Sequence, residues 1–549
     1  LTFGTRFNLW FNRTFESMLA VYDRSIFRAL ARPWWTMGGI LGACALPFML
    51  MPWLDLSYFP RTDPGQFVIN FKAPTGTRLE ITEQEAKKIE DIINRIVPKD
   101  ELDVIVSNVG VTPGFSSIYT SNTASHAAFV QASLKEEHKV SSYTYMEQVR
   151  TAVRQELPEL TTYFQTGGLV DAVLNLGLPA PIDIQITGSN LKNDYKTAVA
   201  IAAQISQLPE VSDVYIPQDI DAPALKIEID RQHASEMGLN QKEVVSNLIT
   251  ALTSDQMIAP SYWVDPKSGN DYMLTVQYPE STVKTLDDLK AIPLRASTQQ
   301  KPTRLDQVSR VTKVFSPSVV NHYQLRREID IYISPKGEDL AVLGAKIDDI
   351  LKNTSFPDAT NAQIRGSISA MRASFKSFGL GLLLSVLLVY LILVAQFKSF
   401  IDPLIILLAV PPGLMGALLT LLATGTTLNV MSLMGTVMMV GIVVSNSILI
   451  VEFTHRLLEQ GNDLKEAVAT ACRIRLRPVL MTSLATVIGL IPMSLALGAG
   501  SEAYASLARV IIGGLTVSVL MTIFIVPAAF LLVYGRRPLQ SLHVQGQIL

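Results

Sequence analysis

Four short polar side chains interrupt long apolar runs. Val444-Ser445-Asn446-Ser447 lies inside the apolar stretch 429–453, and Thr482 lies inside the stretch 478–498. Hydroxyls and an amide exchange hydrogen bonds but do not change charge near neutral pH. Two roles fit them: hydrogen-bonding a titratable group that moves protons, or holding helices together, since Ser, Thr and Asn are common at helix-helix contacts in lipid. A proton carrier in a bilayer needs a group that can change charge. None of the stretches 34–54, 377–396, 403–423, 429–453, 478–498 and 508–534 carries a charged side chain in its central part. Glu452 lies close enough to the end of its stretch to reach water. A second constellation sits far away, in the loop Gly110-Val111-Thr112-Pro113-Gly114-Phe115, with Tyr119 and Phe129 near it in sequence. Its glycines and proline allow backbone excursions, and Phe115 offers an apolar face to a greasy ligand. For Phe129, on a predicted strand, a core role outweighs ligand contact. Metal chemistry finds little here: His126 and His138 are the histidines near the loop, and no methionine falls between Met51 and Met146. No nucleophile-base motif, H-E-x-x-H or phosphate loop is present, so nothing points to an enzyme.

The elements that position these groups follow from length and composition. With 549 residues and 48% apolar content, the chain mixes membrane and soluble architecture. A net charge of -2 and the lack of a basic run interleaved with aromatics set a nucleic-acid partner aside. Cys44, in an apolar run, and Cys472, in a basic loop, leave the sequence between them without a thiol, which excludes a disulfide framework there. The chain opens on Leu1, and its first apolar stretch begins near Trp34, too late for a secretory signal. The N-terminus thus reads as cut from something longer. A bilayer needs roughly 20 apolar residues per helix, and the six stretches qualify. Arg24, Arg28 and Arg32 before the first, Lys398 between the second and third, Arg473, Arg475 and Arg477 between the fourth and fifth, and Arg536 and Arg537 after the sixth all fall on one side. That bias makes both termini cytoplasmic and places about 55–375 outside, with Lys376 and Arg509 dissenting.

The outer segment alternates periods of 2 and 3.6 in the order β-α-β-β-α-β from Gln66 to about 166, the split form of two βαβ units. A second copy begins at Ile182 and resumes at Glu328. Strand-rich sequence holding the helix QKEVVSNLITAL lies between its halves and reads as an insertion.

The segments FNRTFESMLAVYDRSIFRALARPW, YFPRTDPGQF, IDRQHASEMGL, VPPGLMGALL, GIVVSNSILIVEF and RIRLRPVLMTSLATVIGLIP resemble the C-terminal half of resistance-nodulation-division (RND) transporters, in the branch exporting hydrophobes and amphiphiles. The resemblance implies a domain of six transmembrane helices plus an α+β periplasmic domain of ferredoxin-like porter subdomains with an inserted docking subdomain. Segment 1–33 would be cytoplasmic or interfacial, 34–54 the first span, 63–170 one porter subdomain, 182–217 with 321–370 the second, 218–320 the docking subdomain, 377–534 the other spans, and 535–549 a cytoplasmic tail. It further implies a multi-pass inner-membrane antiporter using the proton motive force and no cofactor, with Ser445, Asn446, Thr482 and Arg475 beside a proton relay. Gly110, Gly114, Phe115, Tyr119 and Phe129 would face substrate. The family's two adjacent aspartates belong to the N-terminal half, and a lysine that pairs with them in several members is Ser445 here. Ser445, Asn446 and Thr482 would then hydrogen-bond carboxylates offered by another half, and Arg475 is either a relay-linked arginine or a positive-inside anchor. Implied partners are that N-terminal half, a homotrimer of full pumps, a periplasmic adaptor, an outer-membrane channel and membrane lipid. A non-transporting scaffold and an exporter of lipid or metal remain as alternative readings.

Overall fold

The computed structural model describes residues 3–535 apart from 112–121, 123, 257, 280, 297–300, 358–359 and 499. The chain divides into two compact units, one of residues 1–63, 335–349 and 365–549, the other of 64–334 and 350–364.

Among its described residues the first unit holds six helices long and apolar enough to cross a membrane: Pro33–Trp53, Ser367–Phe397, Asp402–Ala423, Val430–Glu459, Leu464–Ser494 and Glu502–Tyr534. The sixth is the central post, with buried residues along its whole length from Ala505 to Tyr534. The second lies at the other extreme. Only Ser367, Ile368, Met371 and Leu393 are buried on it, and Leu380, Leu383, Leu387 and Leu391 stand exposed. Small residues set the closest approach, between the third and sixth spans, where a side chain on Gly416 would strike the Gly513 carbonyl and Val517. The third span is broken between Leu407 and Val410, just ahead of Pro411 and Pro412. Prolines lack the N–H and disfavour helical geometry in the residue before them.

Two expectations shift. Arg473, Arg475, Arg477 and Cys472 lie within the helix Leu464–Ser494, not in a loop, because that helix begins well before its apolar stretch does. Arg509, which runs against the charge bias, donates to the Ser494 carbonyl at 3.1 Å and to Thr426 Oγ1 at 2.6 Å. It satisfies the free carbonyl end of the fifth span, a local reason for a cation at that end.

In the second unit, β1 (Gln66–Lys72), β2 (Leu102–Val109), β3 (Ala127–Leu134) and β4 (Thr161–Thr166) form an antiparallel sheet in the order β2-β3-β1-β4. Helices Leu79–Ile96 and Ser142–Glu156 complete a β-α-β-β-α-β order. Phe67, Ile69 and Phe71 alternate toward a core shared with Val130, Ala132, Phe164, Ile89 and Ile93. Each fully buried side chain of this kind stabilises the fold by about 1.5–3 kcal/mol. A further sheet joins β5 (Ile182–Thr187) and β6 (Val211–Tyr215) to strands Asn321–Tyr323, Arg326–Pro335 and Asn361–Arg365. Between its halves, strands Ala222–Ile229 and Ser309–Ser316 pair as an antiparallel ribbon. They frame a small core of Leu239, Val244, Leu294 and Leu305. The helix Gln241–Leu252 there starts on a capping box between Asn240 and Glu243.

Candidate functional site

The polar groups within the spans separate into packed and open members. Asn446 is buried and donates from Nδ2 to Ser483 Oγ at 3.2 Å, tying the fourth span to the fifth. Ser447 is fully buried and donates to the Val443 carbonyl of its own helix at 3.2 Å. Ser445 and Thr482 point outward. Thr482 donates to the carbonyls of Pro478 at 3.2 Å and Val479 at 3.1 Å. Ser445 makes no hydrogen bond among the described residues and shares an exposed helix face with Met434, Met438 and Gly441. Arg475 is half-buried, and its guanidinium carbon lies 4.7 Å from the centre of the Phe453 ring, a cation–π contact joining the fourth and fifth spans. Glu452 is exposed and sits 3.5 Å from Arg456 one turn on, so it behaves as a surface pair.

A cluster that sequence reading missed lies where the third span begins and the fourth and sixth end. Asp402 is 2% exposed. Its Oδ1 accepts from the Tyr534 hydroxyl at 2.8 Å and lies 3.2 Å from Nε2 of His455. That imidazole nitrogen makes no hydrogen bond of good geometry, so the two side chains meet at contact distance only. The His455 ring packs edge-on against Phe530 and Tyr534, which stack on each other. Intramembrane ionisable groups are costly and pair with one another. Sequence offered a weak signal: Asp402 is the one acidic residue between the second and third apolar stretches.

In the α/β unit, Gly110 closes β2 with φ of 74°, and a side chain there would collide with Leu79. Its carbonyl accepts from Asn122 Nδ2 at 3.1 Å. Gly114, Phe115 and Tyr119 lie outside the described residues. Phe129 is half-buried and alternates away from the core that Ala128 and Val130 enter. It is flanked in register by Asn70 and Asn108. The expected core role is therefore replaced by a place on the sheet's second, more polar face.

That face also carries Lys72, whose side chain enters a buried charge network. Lys72 Nζ donates to Asp219 Oδ1 at 2.8 Å and to the Ile216 carbonyl at 2.9 Å. His126 Nε2 lies 3.0 Å from Asp219 Oδ2, and its Nδ1 accepts from the Gly76 amide at 3.5 Å. Burial pushes the Asp219 carboxyl up, but the His126 hydrogen bond and the Lys72 ammonium outweigh it and hold the group below the ordinary carboxylate range. Nearby, Asp213 accepts from Arg150 Nε at 3.1 Å, Arg154 Nη2 at 2.8 Å and the Phe164 amide at 3.2 Å. There burial dominates and pushes the carboxyl up despite both arginines. Both aspartates flank the end of β6, so these networks bind the first sheet to the start of the second.

Comparison with known proteins agrees with this architecture. Two crystal forms of a heavy metal efflux pump superpose with a TM-score of 0.79 at 22% identity, over 95% of this chain and 53% of theirs. The chain thus spans about half the length of those structures, and the likeness is one of fold. The family whose model matches residues 3–534 is described as the AcrB/AcrD/AcrF family. Six helices able to cross a membrane, a mixed α/β unit and this match together place the chain in the AcrB/AcrD/AcrF family of RND transporters.

Proposed function

We propose that this chain is one half of a proton-driven exporter of small apolar or amphipathic compounds, working with an N-terminal half that carries the proton-binding carboxylates. The observation that carries the reading is Ser445. It is a hydroxyl without an internal partner, in the middle of a span whose central part has no group able to change charge, beside Gly441 on an uncovered face. A polar group left unpaired in lipid costs free energy, so a second bundle supplying an acceptor would relieve it. Gly441, with open space around its α-carbon, allows such a helix to approach closely. Thr482 on the adjoining fifth span adds a hydroxyl to the same role. The cleft of the α/β unit would take substrate through Gly110, Gly114, Phe115, Tyr119 and Phe129. Assembly as a trimer of full pumps in the inner membrane, with a periplasmic adaptor and an outer-membrane channel, completes the proposal, and the proton motive force stands in place of a cofactor.

Export of a metal ion is the second reading, favoured by the superposition on a heavy metal pump at the level of fold. Co-expression tests both. Cells lacking their own exporters gain resistance to amphipathic drugs only when this chain is produced with an N-terminal half bearing paired aspartates. Resistance to metal salts alone would favour the second reading, and drug resistance from this chain alone would overturn the half-pump.

A further inference from the structure

The helix Phe3–Ala31 carries two unlike faces. Tyr22, Ile26 and Leu30, spaced four apart, are buried, and the Tyr22 hydroxyl donates to the Ile523 carbonyl of the sixth span at 3.0 Å. Arg24 and Arg28 lie on the opposite side with the same spacing, Arg32 follows just past the helix end, and Arg13 lies three turns earlier on that side. All four arginines are exposed. Of the two acids on this helix, Glu16 is exposed and Asp23 turns away to Arg473, at 3.4 Å from its Nε. Among the described residues no carboxylate lies within ion-pair distance of Arg13, Arg24, Arg28 or Arg32. Exposed Val21 and Phe27 sit between them, and Trp34 and Trp35, 58% and 80% exposed, open the first span.

We propose that this face binds anionic phospholipid, its arginines taking the headgroup phosphates while Val21, Phe27, Trp34 and Trp35 enter the acyl boundary. A guanidinium fork matches a phosphate through two parallel hydrogen bonds. Basic clusters beside a span attract anionic leaflets, and tryptophan belongs at the headgroup level. A protein occupant would have to bring carboxylates to this face and cover two tryptophans at the mouth of a membrane helix. Lipid meets both demands with one molecule. The site depends on membrane insertion alone and not on export, so it can fail while the export reading stands.

The test uses the full chain in nanodiscs of phosphatidylethanolamine and of its equimolar mixture with phosphatidylglycerol, with lipid retained per chain read by native mass spectrometry. The wild type should keep phosphatidylglycerol in preference, less so as salt rises. Each of Arg24→Gln and Arg28→Gln should weaken that affinity roughly fivefold, and the two combined with Arg32→Gln on the order of 100-fold. The corresponding Arg→Lys triple should restore much of it, and Lys87→Gln with Lys99→Gln in the α/β unit should leave it unchanged. Equal retention of both lipids overturns the proposal, as does unchanged affinity in the single and triple glutamine variants. A photo-crosslinker at position 28 that captures a protein rather than lipid in membranes overturns it as well.

Discussion

Replacing Lys72 with methionine keeps the length of the side chain and removes its charge, leaving Asp219 buried beside His126 alone. In the native chain the Lys72 and Asp219 side chains are 10% and 8% exposed, and their closest atoms are 2.8 Å apart. Breaking a buried pair from one side costs about 3–5 kcal/mol, because the remaining charge is uncompensated. The carbonyls of Ile216 and Pro217, which Lys72 also satisfies, lose a donor at the same time. The retained His126 contact places the expected loss near the lower end, about 3 kcal/mol. At roughly 2–4 °C per kcal/mol, melting of the α/β unit falls by about 10 °C. Hydrogen exchange should quicken in 66–72 and 211–219, the two segments the network joins. Lys72→Met with Asp219→Asn removes the orphaned charge and should recover more than half of the loss. The pH dependence follows in sign. Asp219 is held below the ordinary carboxylate range when folded, so its contribution is complete above that range and disappears as pH falls through the folded value. That acid-side loss should shrink in Lys72→Met. A loss under about 1 kcal/mol, or a double variant less stable than Lys72→Met, would refute the reasoning.

Gly416→Val drives a branched side chain into the Gly513 carbonyl, and overpacking of this kind costs about 1–3 kcal/mol, readable as a lower midpoint of thermal unfolding in detergent. Tyr534→Phe strips the donor from buried Asp402 and should cost about 1–3 kcal/mol in the same assay, with Phe530 stacking retained.

The spans were legible because apolar runs of this length have few other homes, and the strand-helix alternation announced the sheets through its change of period. What escaped were features that exist only after folding. Helix Leu464–Ser494 starts on an amphipathic segment whose arginines read as a loop, since hydropathy registers lipid contact and not helical geometry. Asp402, His455 and Tyr534 are separated by 53 and 79 residues and meet only because the third span starts where the fourth and sixth end. Lys72 and Asp219 are 147 residues apart and meet only because β1 and the end of β6 come together. Phe129, an apolar residue on a strand, reads as core, but alternation with Ala128 and Val130 puts it on the opposite face. Ser445 and Asn446 are adjacent in sequence, yet the turn of about 100° per helical residue leaves one exposed and the other packed.

Transport in proteoliposomes tests the central claim most directly. This chain, reconstituted with an N-terminal half bearing paired aspartates, should move a fluorescent amphiphile only under an imposed proton gradient. Each half alone should move none, and Ser445→Leu should slow the joint activity without separating the two halves. Gradient-driven transport by this chain alone, or full activity after the paired aspartates are replaced by asparagine, would contradict the account.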